Sequence, residues 1–342
     1  MKKLISHSAD TFLVPCDMYN LLIIGAGQLG SRHLQSLAKL TVPVSIEVVD
    51  PGPRQLSLSM QRFEEIPEHK NISHIAYHTA LQDARSDIDL CIIATTADVR
   101  SEITKQLIDT RNVKNIIFEK ILFQSLVEYD EIERLLIDKG INAWVNCPRR
   151  MYPFYQQLKP SFQPGEKIFY HVSGGAWGLA CNAIHFVDHM SFFNGEMDYS
   201  ADIKGLDNDV LDSKRKGFIE LGGVLEMTFS NKSKVILHSN TNANVSDVIS
   251  IFGETSHVVV FEPSGKAFIS DSSTHMNWQE HEFRVPYQSE LTSVAVTDIL
   301  LNGCSDLTRF GDSAKLHRPL IQAINAHIEV VTGCNHYKCP IT

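Results

Sequence analysis

At 342 residues, with 43% hydrophobic and 21% charged side chains, the chain exceeds one ordinary core and lies far from the disordered regime, so two domains are expected. Its 40 acidic against 31 basic side chains leave a net charge of −9, which repels phosphate backbones and argues against a nucleic-acid partner. Seven cysteines, an odd number with no CxxC pair, fit a reduced, cytoplasmic setting rather than a disulfide framework. The opening MKKLISHSAD has no apolar core, and no run approaches the roughly 20 apolar residues of a membrane helix. We therefore expect a soluble protein with no membrane partner, in which residues 1–17 are an appendage ahead of Met18.

The apolar run Leu21 to Ile24 reads as a strand, followed by glycines and then a helical pattern carrying Leu34, Leu37 and Ala38 on one face. Gly25, Gly27 and Gly30, with Gln28 and Leu29 between them, have the G-x-G-x-x-G spacing that lets a backbone approach a pyrophosphate at a helix N-terminus. The next strand, VSIEVVD, ends in Asp50, twenty residues after Gly30, where an acid can bind the adenosine ribose hydroxyls. That carboxylate favours NAD, because a 2′-phosphate about 4 Å away would be repelled by roughly 1 to 4 kcal/mol. Arg54 could supply a phosphate contact and keeps NADP open.

Further strand and helix pairs follow: HIAYHT, LCIIAT, a helix near Val99 to Arg111, and NIIFEK. A helix opened by Ser125 and Glu128 at capping-box spacing and closed by Gly140 comes next, then the strand NAWVNC. Buried strands alternating with amphipathic helices imply α/β architecture, a doubly wound parallel Rossmann sheet over residues 18–147. A Rossmann-like domain for some other nucleotide is the alternative.

From residue 148 to 333 the pattern becomes α+β. GGVLEMTFSNKSKVILHSN and HVVVFEPSGKAFIS read as hairpins, hence an antiparallel sheet only partly covered by helices, a surface that often serves as a subunit contact. The segment 312–331 has helical spacing, with Pro319 either kinking the helix or marking its start.

The most chemically loaded stretch is GLACNAIHFVDHM, in which Cys181, His185 and His189 fall four apart with Asp188 beside them. That arrangement suits a metal, a proton-transfer site, or a helix with polar groups near its start. The zinc reading lacks a good third ligand, so no metal is expected. Cys334, His336 and Cys339 also lack a second pair and read as a terminal segment at the surface. Trp177 with Tyr170 offers flat faces for a sugar ring, or a buried aromatic pair. Arg149 and Arg150 are placed to hold a substrate phosphate or a cofactor amide, or to cap the sheet with salt bridges.

With GAGQLGSRHLQSL, VVDP, IIATTADV, FEKIL, VNCPRRMYP and NAIHFVDHMSFFNG in this order, the chain resembles the glucose-fructose oxidoreductase and inositol dehydrogenase (Gfo/Idh/MocA) family from Met18 to the C-terminal helix. The resemblance implies a Rossmann domain, an open and mostly antiparallel second domain, NAD with NADP possible, and a sugar, cyclitol or sugar-nucleotide substrate. It also implies homodimers or homotetramers formed through that sheet. It places Lys120 of Glu119-Lys120-Ile121 beside the nicotinamide, with isoleucine where the family has proline, and Thr95 and Thr96 along the cofactor. The family's D-x-x-x-H pair falls on Cys181 and His185, so the acid is replaced by a thiol, and Asn182 is adjacent. Arg100 stands roughly where many relatives have histidine.

On that basis Lys120 and His185 are the expected proton-transfer groups, with Asp188 orienting the imidazole. If Asn182 caps the helix, His185 lies in its first turn, where the dipole favours the neutral ring. Arg149, Arg150, Trp177 and Asn182 are the expected substrate contacts. The leading expectation is an NAD(P)-dependent dehydrogenase or reductase acting on a sugar or sugar-nucleotide hydroxyl, in the setting of surface-polysaccharide precursor synthesis. The rivals are a non-catalytic cofactor sensor or scaffold on the same fold, and redox-neutral dehydration or glycoside cleavage with the cofactor returned unchanged.

Overall fold

The computed structural model describes residues 18–67, 69–334 and 337–342, so the expected appendage at 1–17 and His336 lie outside the described residues. The first half alternates as expected, through β1 (Tyr19–Ile24), α1 (Gln28–Leu37), β2 (Val44–Val49), α2 (Pro53–Glu64), β3 (Ile72–His78), β4 (Asp87–Ile88), β5 (Leu90–Ile93), α3 (Ala97–Thr110), β6 (Asn112–Val113), β7 (Asn115–Phe118), α4 (Leu126–Lys139) and β8 (Asn142–Val145). Strands β3, β2, β1, β5, β7 and β8 lie side by side, all parallel. Their apolar residues face helices on both sides, which is why β1 carries the unbroken run Leu21 to Ile24 and β2 is buried along its whole length. The capping box of α4 forms, with Ser125 N donating to Glu128 Oε2 at 3.1 Å, and Gly140 ends the helix at φ +65°.

The second half comprises α5 (Pro153–Leu158), β9 (Phe169–Gly174), α6 (Leu179–Asn194), β10 (Tyr199–Asp212), β11 (Ile219–Phe229), β12 (Lys234–Ser239), β13 (Val248–Phe252), β14 (Ser256–Phe261), β15 (Lys266–Asp271), β16 (Gln279–Glu282), α7 (Gln288–Asn302), β17 (Thr308–Arg309) and α8 (Phe310–Thr332). Eight of its strands form one sheet in the order β10-β11-β12-β9-β13-β14-β15-β16, antiparallel except where β12 meets β9. Helices α6 and α8 lie on this sheet's inner side, where Leu225, Met227, Leu237, Ile249 and Val258 are buried with Ile184 and Leu320. Pro319 sits inside α8, which runs unbroken across it.

Two features depart from a clean division at residue 148. After the second sheet the chain returns to the first: α7 packs Leu291, Ala295, Val296 and Ile299 into the core formed with Leu34 and Leu37 of α1. Strand β17 then pairs antiparallel with β8. Nor does the end of the chain stay at the surface. Cys339 and Ile341 are fully buried, Cys339 N donates to the Gln124 carbonyl at 2.8 Å, and Ile219 N donates to Pro340 O at 2.9 Å. Apolar side chains in this last stretch find more burial between the two halves than a surface position offers. The six described cysteines are free, Cys334 and Cys304 being exposed.

Candidate active site

The glycine turn is built as its spacing requires. Gly25 takes φ +98°, and a Cβ on Gly30 would stand 1.7 Å from the Gly25 carbonyl oxygen, so α1 can approach β1 only through glycine. Above Gly27 a Cβ would meet nothing within 4 Å, leaving open space in front of the unpaired amides of Gln28 and half-buried Leu29 at the start of α1. Asp50 Oδ2 accepts from Ala26 N at 2.7 Å and Oδ1 from Gly52 N at 2.8 Å. The carboxylate thus pins the turn as well as facing it. This cradle fits a dinucleotide pyrophosphate, with Asp50 at the end of β2 for the ribose. Arg54 is exposed in the first turn of α2. Thr95 and Thr96 lie in the turn between β5 and α3, where the buried Thr95 hydroxyl has no partner and Ala97 N donates to Thr342 Oγ1 at 2.8 Å.

Glu119 and Lys120 leave β7 side by side and face different partners. Burial pushes the Glu119 carboxyl up, but His33, 2.8 Å from its Oε1, and a 2.6 Å hydrogen bond from Asn146 hold it below the usual carboxylate range. The other nitrogen of His33 lies 2.8 Å from Thr292 Oγ1, so one imidazole ties α1, α7 and the strand end together. Lys120 turns the opposite way: its Nζ donates to the Cys181 carbonyl at 3.0 Å and to Asn182 Oδ1 at 3.3 Å, and burial lowers its pKa. The peptide between Lys120 and Ile121 is cis. Arg100 braces the loop from below, donating to the Ile121, Leu122 and Thr95 carbonyls while burial draws its pKa down to about 10.

Asn182 does not cap α6. The helix begins a turn earlier, after Gly178 at φ +83°, and its first amides are taken by Glu220 of β11, which accepts from Ala180 N at 3.0 Å and from Cys181 N at 3.3 Å. Asn182 instead bridges, donating to the Trp177 carbonyl at 2.9 Å and accepting from Lys120. His185 consequently lies beyond the first turn. Its ring is nonetheless held neutral, by burial and by the charges of Lys120 and Arg149, and its Nδ1 is buried without a hydrogen-bond partner. Cys181, at the position of the family's acid, is a thiol pushed up to about 12 by burial and by Glu220, so it stays protonated.

Three expected roles are corrected. Asp188 does not orient His185; its Oδ2 pairs with Arg150 Nε at 3.0 Å and its Oδ1 accepts from the Thr308 hydroxyl. Arg150 is therefore committed, and Arg149 is held in a two-point pair with Glu262 at 3.1 and 3.0 Å over the Phe186 ring. Both guanidiniums are thus paired with carboxylates of the second domain. Tyr170 is buried and hydrogen-bonded to His189 Nδ1 at 2.8 Å, so both belong to the core, while Trp177 borders the candidate cavity with its Nε1 donating to His238 O.

Sequence reasoning missed His33, His317 and Thr342. His33 follows Gly30 by three residues on the inward face of α1, a legible signal. His317 gives none. It is buried in α8 and donates from Nδ1 to Ser313 O at 2.8 Å, which leaves Nε2 as an unpartnered acceptor; burial, with the Arg100 and Lys120 charges, pushes its pKa down to about 3. A cavity of about 350 Å³ opens beside Lys120, bordered by Trp177, Cys181, Asn182, Arg215 and Thr342. Among the described residues no helix is long and apolar enough to cross a membrane, and no three His, Cys, Asp or Glu side chains cluster as metal ligands.

Residues 19–147 match the family model described as "Oxidoreductase family, NAD-binding Rossmann fold", GFO_IDH_MocA. Residues 19–147 thus form an NAD-binding Rossmann domain of the Gfo/Idh/MocA oxidoreductase type. It is 23% identical over 274 residues to the "Uncharacterized oxidoreductase YrbE" of Bacillus subtilis (strain 168), covering 73% of each chain. Two solved structures share the fold. The UDP-N-acetylglucosamine 3-dehydrogenase GnnA of Acidithiobacillus ferrooxidans matches at TM-score 0.65 and 12% identity, over 90% of this chain and 96% of that one. The transcriptional regulator Gal80p of Kluyveromyces lactis matches at TM-score 0.67 and 15% identity, over 90% and 91%. A dehydrogenase and a regulator on one fold leave the site's own chemistry to decide function.

Proposed function

We propose that this chain is an NAD(P)-dependent oxidoreductase that moves a hydride between nicotinamide and a CH–OH carbon of a sugar or sugar nucleotide. One observation carries the reading. The Lys120 amine is buried where the two halves meet, fixed by two acceptors on α6, and borders a cavity of sugar size. A cofactor sensor has no chemical use for such an amine.

Bound NAD(P) supplies the hydride chemistry. The protein supplies position and a proton path. In the oxidising direction the carbinol carbon gives up its hydrogen with the bonding pair, and the hydroxyl proton passes to Lys120 Nζ, leaving a carbonyl and an ammonium. Burial favours the neutral amine needed at the outset, and the Cys181 carbonyl and Asn182 hold Nζ in place. The neutral His185 ring lies one helical turn from Cys181 and is the next acceptor along α6. In the reducing direction the Lys120 ammonium donates the same proton. Trp177 gives the sugar ring a flat apolar wall.

Screening bound-NADH fluorescence and turnover against neutral sugars and sugar nucleotides tests the reading; absence of hydride transfer to any of them would reject it. On the cofactor side, Asp50→Ala should weaken NADH more than NADPH, since the lost carboxylate contacts ribose hydroxyls but repels a 2′-phosphate. The reverse ranking in a binding titration would remove Asp50 from the ribose.

We further propose that the outward face of the eight-stranded sheet joins copies of this chain. Ile236, Phe252, Val259, Phe261 and Phe268 stand on that face, partly accessible, opposite the buried inner residues. Light scattering should give a mass of two or four chains, and Val259→Glu should lower it; a wild-type monomer would discard the assignment.

A further inference from the structure

The cavity beside Lys120 has a cationic wall. After β10 the chain turns through Ser213, and Lys214 and Arg215 line the same cavity as Lys120. Both side chains are exposed, and no ion pair among the described residues takes up either of them. The Arg215 charge reaches inward far enough to oppose those of both Lys120 and Arg100.

Two carboxylates share the lining, Asp212 and Glu220, but Glu220 is spent on the first amides of α6. Two cations, Lys214 and Arg215, therefore stand beside the Lys120 amine against one uncommitted side-chain carboxylate, in a chain whose net charge is −9. Like charges around a common hollow repel, and an anion placed between them relieves the repulsion.

We propose that the substrate carries an anionic group, a carboxylate or a phosphate, which Arg215 and Lys214 hold at the wall opposite the reacting carbon. Arg215 is the specificity-determining residue: its fork donates to two oxygens of either group at once, and Lys214 adds a point charge. A cavity of about 350 Å³ holds one sugar ring with such a substituent. The inference rests on reading this cavity as the substrate site.

The test titrates inorganic phosphate and acetate separately into the NAD⁺-loaded protein at constant ionic strength, following Tm and tryptophan fluorescence. At least one ion should saturate in wild type and bind about tenfold or more weakly to Arg215→Gln, with Arg215→Lys between them. Phosphate alone points to a phosphorylated sugar or sugar nucleotide, acetate alone to a sugar acid. Saturation by neither ion, or equal binding to wild type and Arg215→Gln, overturns the proposal. The two readings fail separately. Hydride transfer to neutral sugars without anion binding removes the anion site and leaves the oxidoreductase; anion binding that depends on Arg215, without hydride transfer to any sugar, does the reverse.

Discussion

Lys120→Met should lower kcat by about 10²-fold or more while NADH binding stays nearly unchanged, because general acid–base transfer contributes roughly 10²–10⁴-fold and the amine is the group proposed to supply it. Methionine keeps much of the apolar stem and removes the nitrogen that donates to Cys181 O and Asn182, so the loss is chemical more than structural. The pH profile adds a sign. Oxidation needs the neutral amine, so activity rises with pH through the Lys120 pKa, and burial places that inflection below the ordinary 10.5. Lys120→Arg retains a cation that does not deprotonate and should not restore oxidation. Steady-state kinetics with single-turnover measurements check these outcomes. An unaltered kcat in Lys120→Met would take the amine out of the reaction and favour a sensor on this fold.

Asp188→Ala should act on stability instead, costing about 3–5 kcal/mol and lowering Tm by on the order of 10 °C, with kcat of the folded protein little changed. Asp188 is 1% exposed and joins three elements: α6, which carries it, the turn after β8 through Arg150, and β17 through Thr308. Removing the carboxylate leaves the Arg150 guanidinium without its charge partner in a nearly closed site, which costs more than the pair itself is worth. Asp188→Asn keeps an acceptor for Thr308 and should lose less. Thermal denaturation alongside kinetics separates the roles. A variant as stable as wild type but 10²-fold slower would return Asp188 to the proton path.

The cofactor half of the site was legible because its determinants are local. Gly25, Gly27 and Gly30 satisfy a backbone approach within six residues, Asp50 follows the very next strand, and the apolar run Leu21 to Ile24 marks a strand buried on both faces. The hairpins and the long last helix were legible for the same reason: period and turn residues act over a few positions.

The substrate half was not, because its partners are remote in sequence. Asn182 looked like a helix cap by residue type, yet Glu220, some forty positions on, reaches the first amides of α6 and moves the helix start back by a turn. Asp188 looked like an orienting acid by its spacing from His185, but Thr308 and Arg150 compete for it across the fold and win through charge and burial. The return of α7 and β17 to the first sheet, and the burial of Cys339 and Ile341, likewise come from apolar surface seeking cover wherever the chain can reach it. By itself the sequence specified the glycine turn, the acid that follows β2 and the lysine that follows β7. Only the tertiary structure decided which polar groups remain free to meet a substrate, since a charged side chain is claimed by the nearest buried partner, and nearness in space is not written in spacing along the chain.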